Sequence, residues 1–207
     1  MEIKDSVVYK TNYGLRVGVD ISKPIRGAIQ NFYNGFEFVA DYRISKNLYI
    51  ATEFGFEEQI SREDFMNVTD SGNYIRLGVN LNTYKNWLDM NNEIYVGGRL
   101  GFSFFEQTLN EYTLNPGNGG YYGETITTPS TEDGLNAEWL EFVVGIKAEV
   151  YRNLFLSFSG SFKAMLQVKD PTNYKSLFAP GFNRIYVNNV GFGFNYTISY
   201  LIPFENK

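Results

Sequence analysis

The sequence predicts an all-β fold, an eight-stranded antiparallel up-and-down β-barrel that crosses a membrane. Three observations lead there. Eight segments, seven of them of about 9 to 13 residues and so near the length a tilted strand needs to cross a bilayer, alternate apolar with small or polar side chains. The joins between them are alternately short and long, which gathers the long ones at one end of the barrel. Aromatic residues make up 17% of the chain while the mean hydropathy is only -0.27, so greasy side chains are interleaved with polar ones rather than grouped in blocks.

Taken in order, residues 13–22 set Leu15, Val17, Val19 and Ile21 against Arg16, Gly18, Asp20 and Ser22. Residues 35–43 set Phe36, Phe38, Ala40 and Tyr42 against Glu37, Val39, Asp41 and Arg43, and residues 48–57 set Leu48, Ile50, Thr52, Phe54 and Phe56 against Tyr49, Ala51, Glu53, Gly55 and Glu57. Residues 73–83 alternate Ile75, Leu77, Val79 and Leu81 with Tyr74, Arg76, Gly78 and Asn80. In 93–105 the two rows are Ile94, Val96, Leu100, Phe102 and Phe104 against Tyr95, Gly97, Arg99, Gly101 and Ser103. In 138–150 they are Leu140, Phe142, Val144 and Ile146 against Trp139, Glu141, Gly145, Lys147 and Glu149. Residues 154–165 set Leu154, Leu156, Phe158 and Phe162 against Ser157, Ser159, Ser161 and Lys163. The last segment, 190–204, sets Phe192, Phe194, Tyr196, Ile198 and Tyr200 against Gly191, Gly193, Asn195, Thr197 and Ser199.

Residues 44–47 and 151–153 are joins short enough to force antiparallel hairpins. Residues 84–92 form an intermediate join, and 106–137 reads as a loop of roughly 30 residues, far above the usual length. No helix is expected: residues 61–66 could make a turn of one, but are too few and lie between alternating segments. The chain reads as a single domain, 1–207.

Composition excludes several chemistries. With no Cys and no His, disulfides, thiolate metal sites and the commonest general base are all missing. A net charge of -5 leaves no basic surface for nucleic acid. No apolar run reaches the ~18 to 20 residues of a membrane-spanning helix. Met1-Glu2-Ile3-Lys4-Asp5 lacks the pattern of a signal peptide, and a mature chain with its leader removed is expected.

The polar rows carry acids and bases in near balance: Asp20, Glu37, Asp41, Glu53, Glu57, Glu141 and Glu149 with Arg16, Arg43, Arg76, Arg99, Lys147 and Lys163. Such a set suits a paired network in a narrow interior, since unpaired buried charge is prohibitively costly. Glu53 and Glu57 share one strand face and could act as an acid/base pair, but pairing with interior Arg and Lys is the nearer explanation. Two aromatic girdles are expected, as at two membrane interfaces. Tyr42, Tyr49, Trp87, Tyr95, Tyr151, Phe155, Tyr200 and Phe204 form one at the short-turn end; Phe32, Tyr33, Phe36, Phe56, Tyr74, Phe104 and Trp139 form the other.

On these features the chain resembles the small eight-stranded outer-membrane barrels of Gram-negative bacteria, of the OmpA-barrel and OmpX type, and above all an uncharacterised barrel family of Bacteroidetes. Gly193, Tyr196, Ile198, Tyr200 and Phe204 resemble the C-terminal assembly signal of such barrels, with Pro203 and the tail Glu205-Asn206-Lys207 as a departure. The resemblance implies an outer-membrane location, contact with outer-membrane lipid and recognition by the barrel-insertion machinery. It also extends to lipid A deacylases and palmitoyltransferases, but their His-containing catalytic sets map onto no position here. A non-enzyme without cofactor or metal is therefore expected.

Residues 70–73 and 131–134 offer oxygen ligands without the spacing of a calcium loop and read as turns. Asn67-Val68-Thr69 and Asn195-Tyr196-Thr197 match a glycosylation pattern that carries no weight in a bacterial barrel. In the long loops Tyr112, Tyr121, Tyr122, Tyr174, Phe178 and Phe182 stand among Gly, Asn, Ser and Pro, suited either to binding a partner or to packing as a lid over the barrel mouth. The expected function is a scaffold or accessory subunit that contacts another envelope component through loops or lipid-facing wall. Transport of a small hydrophobic ligand, in the manner of OmpW-type barrels, and a soluble lipocalin-like binder are the alternatives.

Overall fold

A computed structural model describes residues 12–84, 91–114 and 123–206. Eight long strands, β1 (Asn12–Asp20), β2 (Tyr33–Arg43), β3 (Leu48–Glu63), β4 (Met66–Asn82), β5 (Glu93–Thr113), β7 (Ser130–Tyr151), β8 (Leu154–Val168) and β11 (Val190–Asn206), form the wall. Four shorter elements lie at the long-loop end: α1 (Ser22–Ile29), β6 (Thr125–Ile126), β9 (Phe178–Ala179) and β10 (Asn183–Arg184). Each long strand pairs antiparallel with its sequence neighbour, and β1 closes the ring on β11 through Leu15↔Ile202, Val17↔Tyr200 and Val19↔Ile198. Closure leaves no free edge within the membrane zone, the condition for a sheet in hydrocarbon.

Side-chain parity sets the two surfaces. Phe38, Ile50, Phe54, Leu77, Ile94, Phe142, Ile146, Phe158, Phe192 and Phe194 point outward and are exposed, Phe194 at 66%. Arg16, Asp20, Glu37, Asp41, Glu57, Arg76, Arg99, Glu141, Lys147 and Lys163 point inward and are buried. An apolar exterior around a charged interior is the inverse of a water-soluble barrel and is the arrangement of a barrel solvated by lipid. The apolar belt ends on the rung Phe56↔Asn73↔Phe104. One outward rung further on, the side chains are Glu58, Ser71 and Glu106, so the strands continue beyond the membrane zone.

Those continuations differ from the sequence expectation. Residues 106–137 are largely strand: β5 runs on to Thr113 and β7 begins at Ser130, leaving residues 114–129 as the join that carries β6. Residues 61–66 are the tip of the β3–β4 hairpin, turning at Asp64 and Phe65, and 70–73 and 131–134 lie inside β4 and β7 rather than in turns. Outside the bilayer the outer face meets water and the buried inner face mixes Val68 with Asp70 and Gln107, so these strands show no apolar alternation. The first segment stops at Asp20, and α1 follows where no helix was expected; Pro24 lies in its first turn, a position proline tolerates.

The girdles are also thinner than expected. Tyr42, Tyr151, Tyr200 and Phe204 face outward at one end and Phe32, Phe36 and Phe104 at the other, with Phe56 partly exposed. Tyr49, Tyr95 and Phe155, and Tyr33, Tyr74 and Trp139, are instead buried in the interior; Trp87 lies outside the described residues. Glycines on neighbouring strands make room for three of them. Tyr74 faces Gly55, Trp139 faces Gly101 and Tyr95 faces Gly145, and a Cβ on any of these glycines would overlap the ring opposite.

Candidate functional site

The bore is filled by two ion-pair clusters. Near the short turns Arg16 donates from Nε to Asp41 (2.6 Å) and from its two terminal nitrogens to Glu93 (2.5 and 3.2 Å). Lys147 meets the other Asp41 oxygen at 2.5 Å. The Arg16 guanidinium also lies over the rings of Tyr49 and Phe155, at 4.6 and 5.1 Å from their centroids.

The second cluster centres on Arg76, which donates to Glu37 (2.6 Å) and Glu141 (3.2 Å). Its Nε lies 2.8 Å from Glu53 as an ion contact without hydrogen-bond alignment. Arg99 donates to Glu53 (3.2 Å) and Asn80 (2.8 Å), Tyr74 donates to Glu37, and Lys163 lies 3.5 Å from Glu141. Asp20 is held by neutral donors, the Ser22 N–H (2.7 Å), the Asn195 amide (2.6 Å) and the Tyr196 N–H (3.2 Å). The void among these side chains amounts to about 40 Å³, enough for isolated waters but not for a continuous aqueous path.

Two of the thirteen polar residues singled out in the sequence stand apart from these clusters. Arg43 is partly exposed at the short-turn rim and donates to the carbonyls of Ser45 and Lys46. Glu149, also at that rim, accepts from Asn91 (2.8 Å) and the Asn153 N–H (2.9 Å), which braces the turn. Conversely, Glu93 and Lys23 belong to the interior set without having been singled out. Glu93 shares the parity of Tyr95 and Arg99, which was the signal available; Lys23 reaches in from α1, an element the periodicity did not show.

The long-loop end of the bore is stoppered. Lys23 pairs with Glu57, and the loop between β8 and β11 drops Pro180, Gly181 and Phe182 into the mouth. The Gly181 N–H donates to Glu57 (2.6 Å) and its carbonyl accepts from Lys163 (2.6 Å). Phe182 meets Trp139 edge to face at 5.9 Å, within a cluster that also holds Tyr74, Phe105, Leu135, Ala137, Met165 and Ala179. Gly181 has φ +81°, and a Cβ there would press on the Tyr74 ring, so glycine is required twice over.

Of the loop aromatics, Phe178 and Phe182 are thus buried packing residues. Tyr112, on β5, and Tyr174 are partly exposed, while Tyr121 and Tyr122 lie outside the described residues. In β11, Tyr196, Tyr200 and Phe204 face outward, Ile198 is partly exposed, and Gly193 faces inward against Lys163.

Above the membrane zone a groove of about 890 Å³ opens between α1, the β3 extension and the β8–β11 loop. Arg26, Phe32, Arg62, Phe178, Arg184 and Tyr186 contribute to its lining. Arg184 is tied to Glu63 (2.7 Å) and Arg26 lies 3.8 Å from the Tyr33 ring centroid, so these two cationic side chains are held against the walls.

On the same level, Asp70 of β4 and Gln107 of β5 face each other and are fully buried. Burial pushes the Asp70 carboxyl up to about 8. Tyr174 is also raised, first by burial and then by the negative charges of Glu132 and Asp70.

The whole chain, residues 1–207, matches the domain of unknown function DUF6048. No curated protein matches it. Among solved structures, Ail, the attachment invasion locus protein of Yersinia pestis, superposes with a TM-score of 0.45 at 7% sequence identity, over 92% of this chain and 97% of that one.

Proposed function

We propose that this chain, which belongs to the DUF6048 family, is a non-enzymatic integral outer-membrane protein that binds another envelope protein through the part of its wall and loops beyond the membrane. The observation that carries this reading is a contrast along one axis. The bore is filled by paired charges and stoppered by Lys23, Gly181 and Phe182, whereas β3, β4, β5 and β7 extend past the apolar belt beside a groove of about 890 Å³. A closed bore argues against passage of solutes, and strands built out of the membrane serve contact. The groove pairs aromatic and aliphatic side chains with arginines, the residue types enriched at protein interfaces.

Photo-reactive side chains placed at Arg62 and Tyr186 in cells test the contact. Cross-links to the same envelope protein from both positions, and none from Ile94 at the opposite end of the barrel, support it; no cross-link from either overturns it. Single-channel recording in planar bilayers tests the closed bore. The parent protein should give no steady conductance. A steady current that is lost on replacing Arg76 or Arg99 would favour transport instead.

A further inference from the structure

Two stretches that resemble no calcium loop in sequence are joined by the sheet register. Gln59↔Asp70, Asp70↔Gln107 and Gln107↔Glu132 are successive cross-strand pairs, so four oxygen-bearing side chains occupy one rung across β3, β4, β5 and β7. The rung lies beyond the apolar belt, under the β8–β11 loop. Asp70 and Gln107 are both 0% exposed, and neither Asp70 oxygen nor either polar atom of the Gln107 amide has a hydrogen-bond partner. The buried Tyr174 hydroxyl is unpartnered too. Glu132, which flanks Gln107 from the other side, has one oxygen fixed by the Thr172 N–H (2.9 Å) and hydroxyl (2.8 Å).

We propose that Asp70, Gln107 and Glu132, roofed by Tyr174, form a calcium site that fastens the β8–β11 loop to the extramembrane sheet. Both Asp70 oxygens and the Gln107 amide are closed off from solvent without partners, and a cation between them would satisfy the two side chains at once. The neighbouring cations are engaged elsewhere: Arg26 donates to Gln59 (3.0 Å) and Gln30 (2.8 Å), Lys169 to the Gly134 carbonyl (2.8 Å) and Lys175 to Asp170 (2.5 Å). The donors are two carboxylates and an amide carbonyl, all hard oxygen, in a chain without His or Cys. That set suits calcium or magnesium rather than zinc or copper. Calcium accepts an irregular shell completed by water, whereas magnesium demands near-octahedral geometry that three side chains on one flat rung do not offer. Thr172 and Tyr174 both belong to the loop, so the ion would join loop to sheet.

The test uses terbium as the calcium probe on the full chain folded in detergent. Excitation of the protein aromatics should sensitise terbium emission, since the Tyr174 ring roofs the site. The emission should saturate, should be displaced by calcium at concentrations where equal magnesium does not displace it, and should vanish in Asp70→Asn. Asp64→Asn, at the exposed β3–β4 turn, should bind as the parent does. Asp70→Asn should also melt higher than the parent in chelator and lose the calcium-induced rise in Tm. If Asp70→Asn fails to assemble, Glu132→Gln on the partly exposed rim gives the reading, with affinity expected to fall about tenfold or more. Absence of saturable emission, or emission unchanged in both variants, overturns the site.

Discussion

Trp139 on β7 and Gly101 on β5 are directly opposed in the interior, and the indole occupies the space where any larger residue at 101 would put its Cβ. This one pair connects the wall to the stopper, because the same indole packs edge to face against Phe182. Gly101→Ala should therefore destabilise the barrel by about 1 to 3 kcal/mol, the range for overpacking a tight interior. Trp139→Leu in the same background should recover part of that loss by vacating the space. Urea unfolding in detergent micelles, read by the electrophoretic shift between folded and unfolded barrel, measures both; additive losses would show that the two residues do not compete for one space.

Arg76 is the hub of its cluster, set among Glu37, Glu53 and Glu141. Removing it leaves the buried Glu37 and Glu141 and the half-buried Glu53 short of a counter-charge, and breaking a buried pair from one side costs about 3 to 5 kcal/mol. Arg76→Ala should show that loss in the same unfolding assay. Arg76→Ala combined with Glu37→Gln should lose less than Arg76→Ala alone, because one uncompensated charge has been removed. A double variant as unstable as the single one would show that the arginine acts by packing.

Asp70 makes stability depend on pH in the calcium-free protein. Its carboxyl is raised from 3.8 to about 8 by burial, so the folded chain holds a proton that the unfolded chain has released. Its contribution is therefore complete below about pH 4, falls as pH rises through the window up to about 8, and is level above that. Melting in chelator at pH 5, 7 and 9 should give falling Tm values, and the Asp70→Asn variant should remove that part of the slope. A slope equal in parent and variant would place its origin elsewhere.

What could be read from the sequence, and what could not, follows from the two solvents the chain meets. Inside the membrane zone one face is greasy and the other polar, so parity alone assigned the sides of Phe38, Glu37, Ile146 and Lys147. Beyond the zone both faces meet water or other protein, so the outer parts of β4, β5 and β7 looked like loop. The interior aromatics were misplaced for a different reason. Whether Tyr74, Tyr95 or Trp139 can turn inward depends on a glycine on the next strand, and that neighbour is known only once the register is known. The rung from Asp70 to Glu132 was hidden in the same way: 62 positions separate residues 70 and 132 in the chain, and only Gln107 stands between them across the sheet.

Phe194 tests the outward assignment itself. It lies on β11 at 66% exposure, opposite Gly160 of β8, with Phe192 and Tyr196 exposed on the same face. The described residues leave most of the ring uncovered, so in water it would be a liability, and only hydrocarbon makes its position favourable. An arginine there should cost about 2 to 4 kcal/mol near the bilayer midplane and much less close to either interface. Phe194→Arg should therefore lower folding stability in lipid vesicles by that amount, while Phe204→Arg, near the end of the same strand, should cost distinctly less. Depth dependence separates lipid contact from simple loss of an aromatic ring, because a Phe194→Ala control removes the ring without bringing charge into the bilayer. If Phe194→Arg assembles and melts like the parent in lipid, the face that β11 presents is not the membrane face.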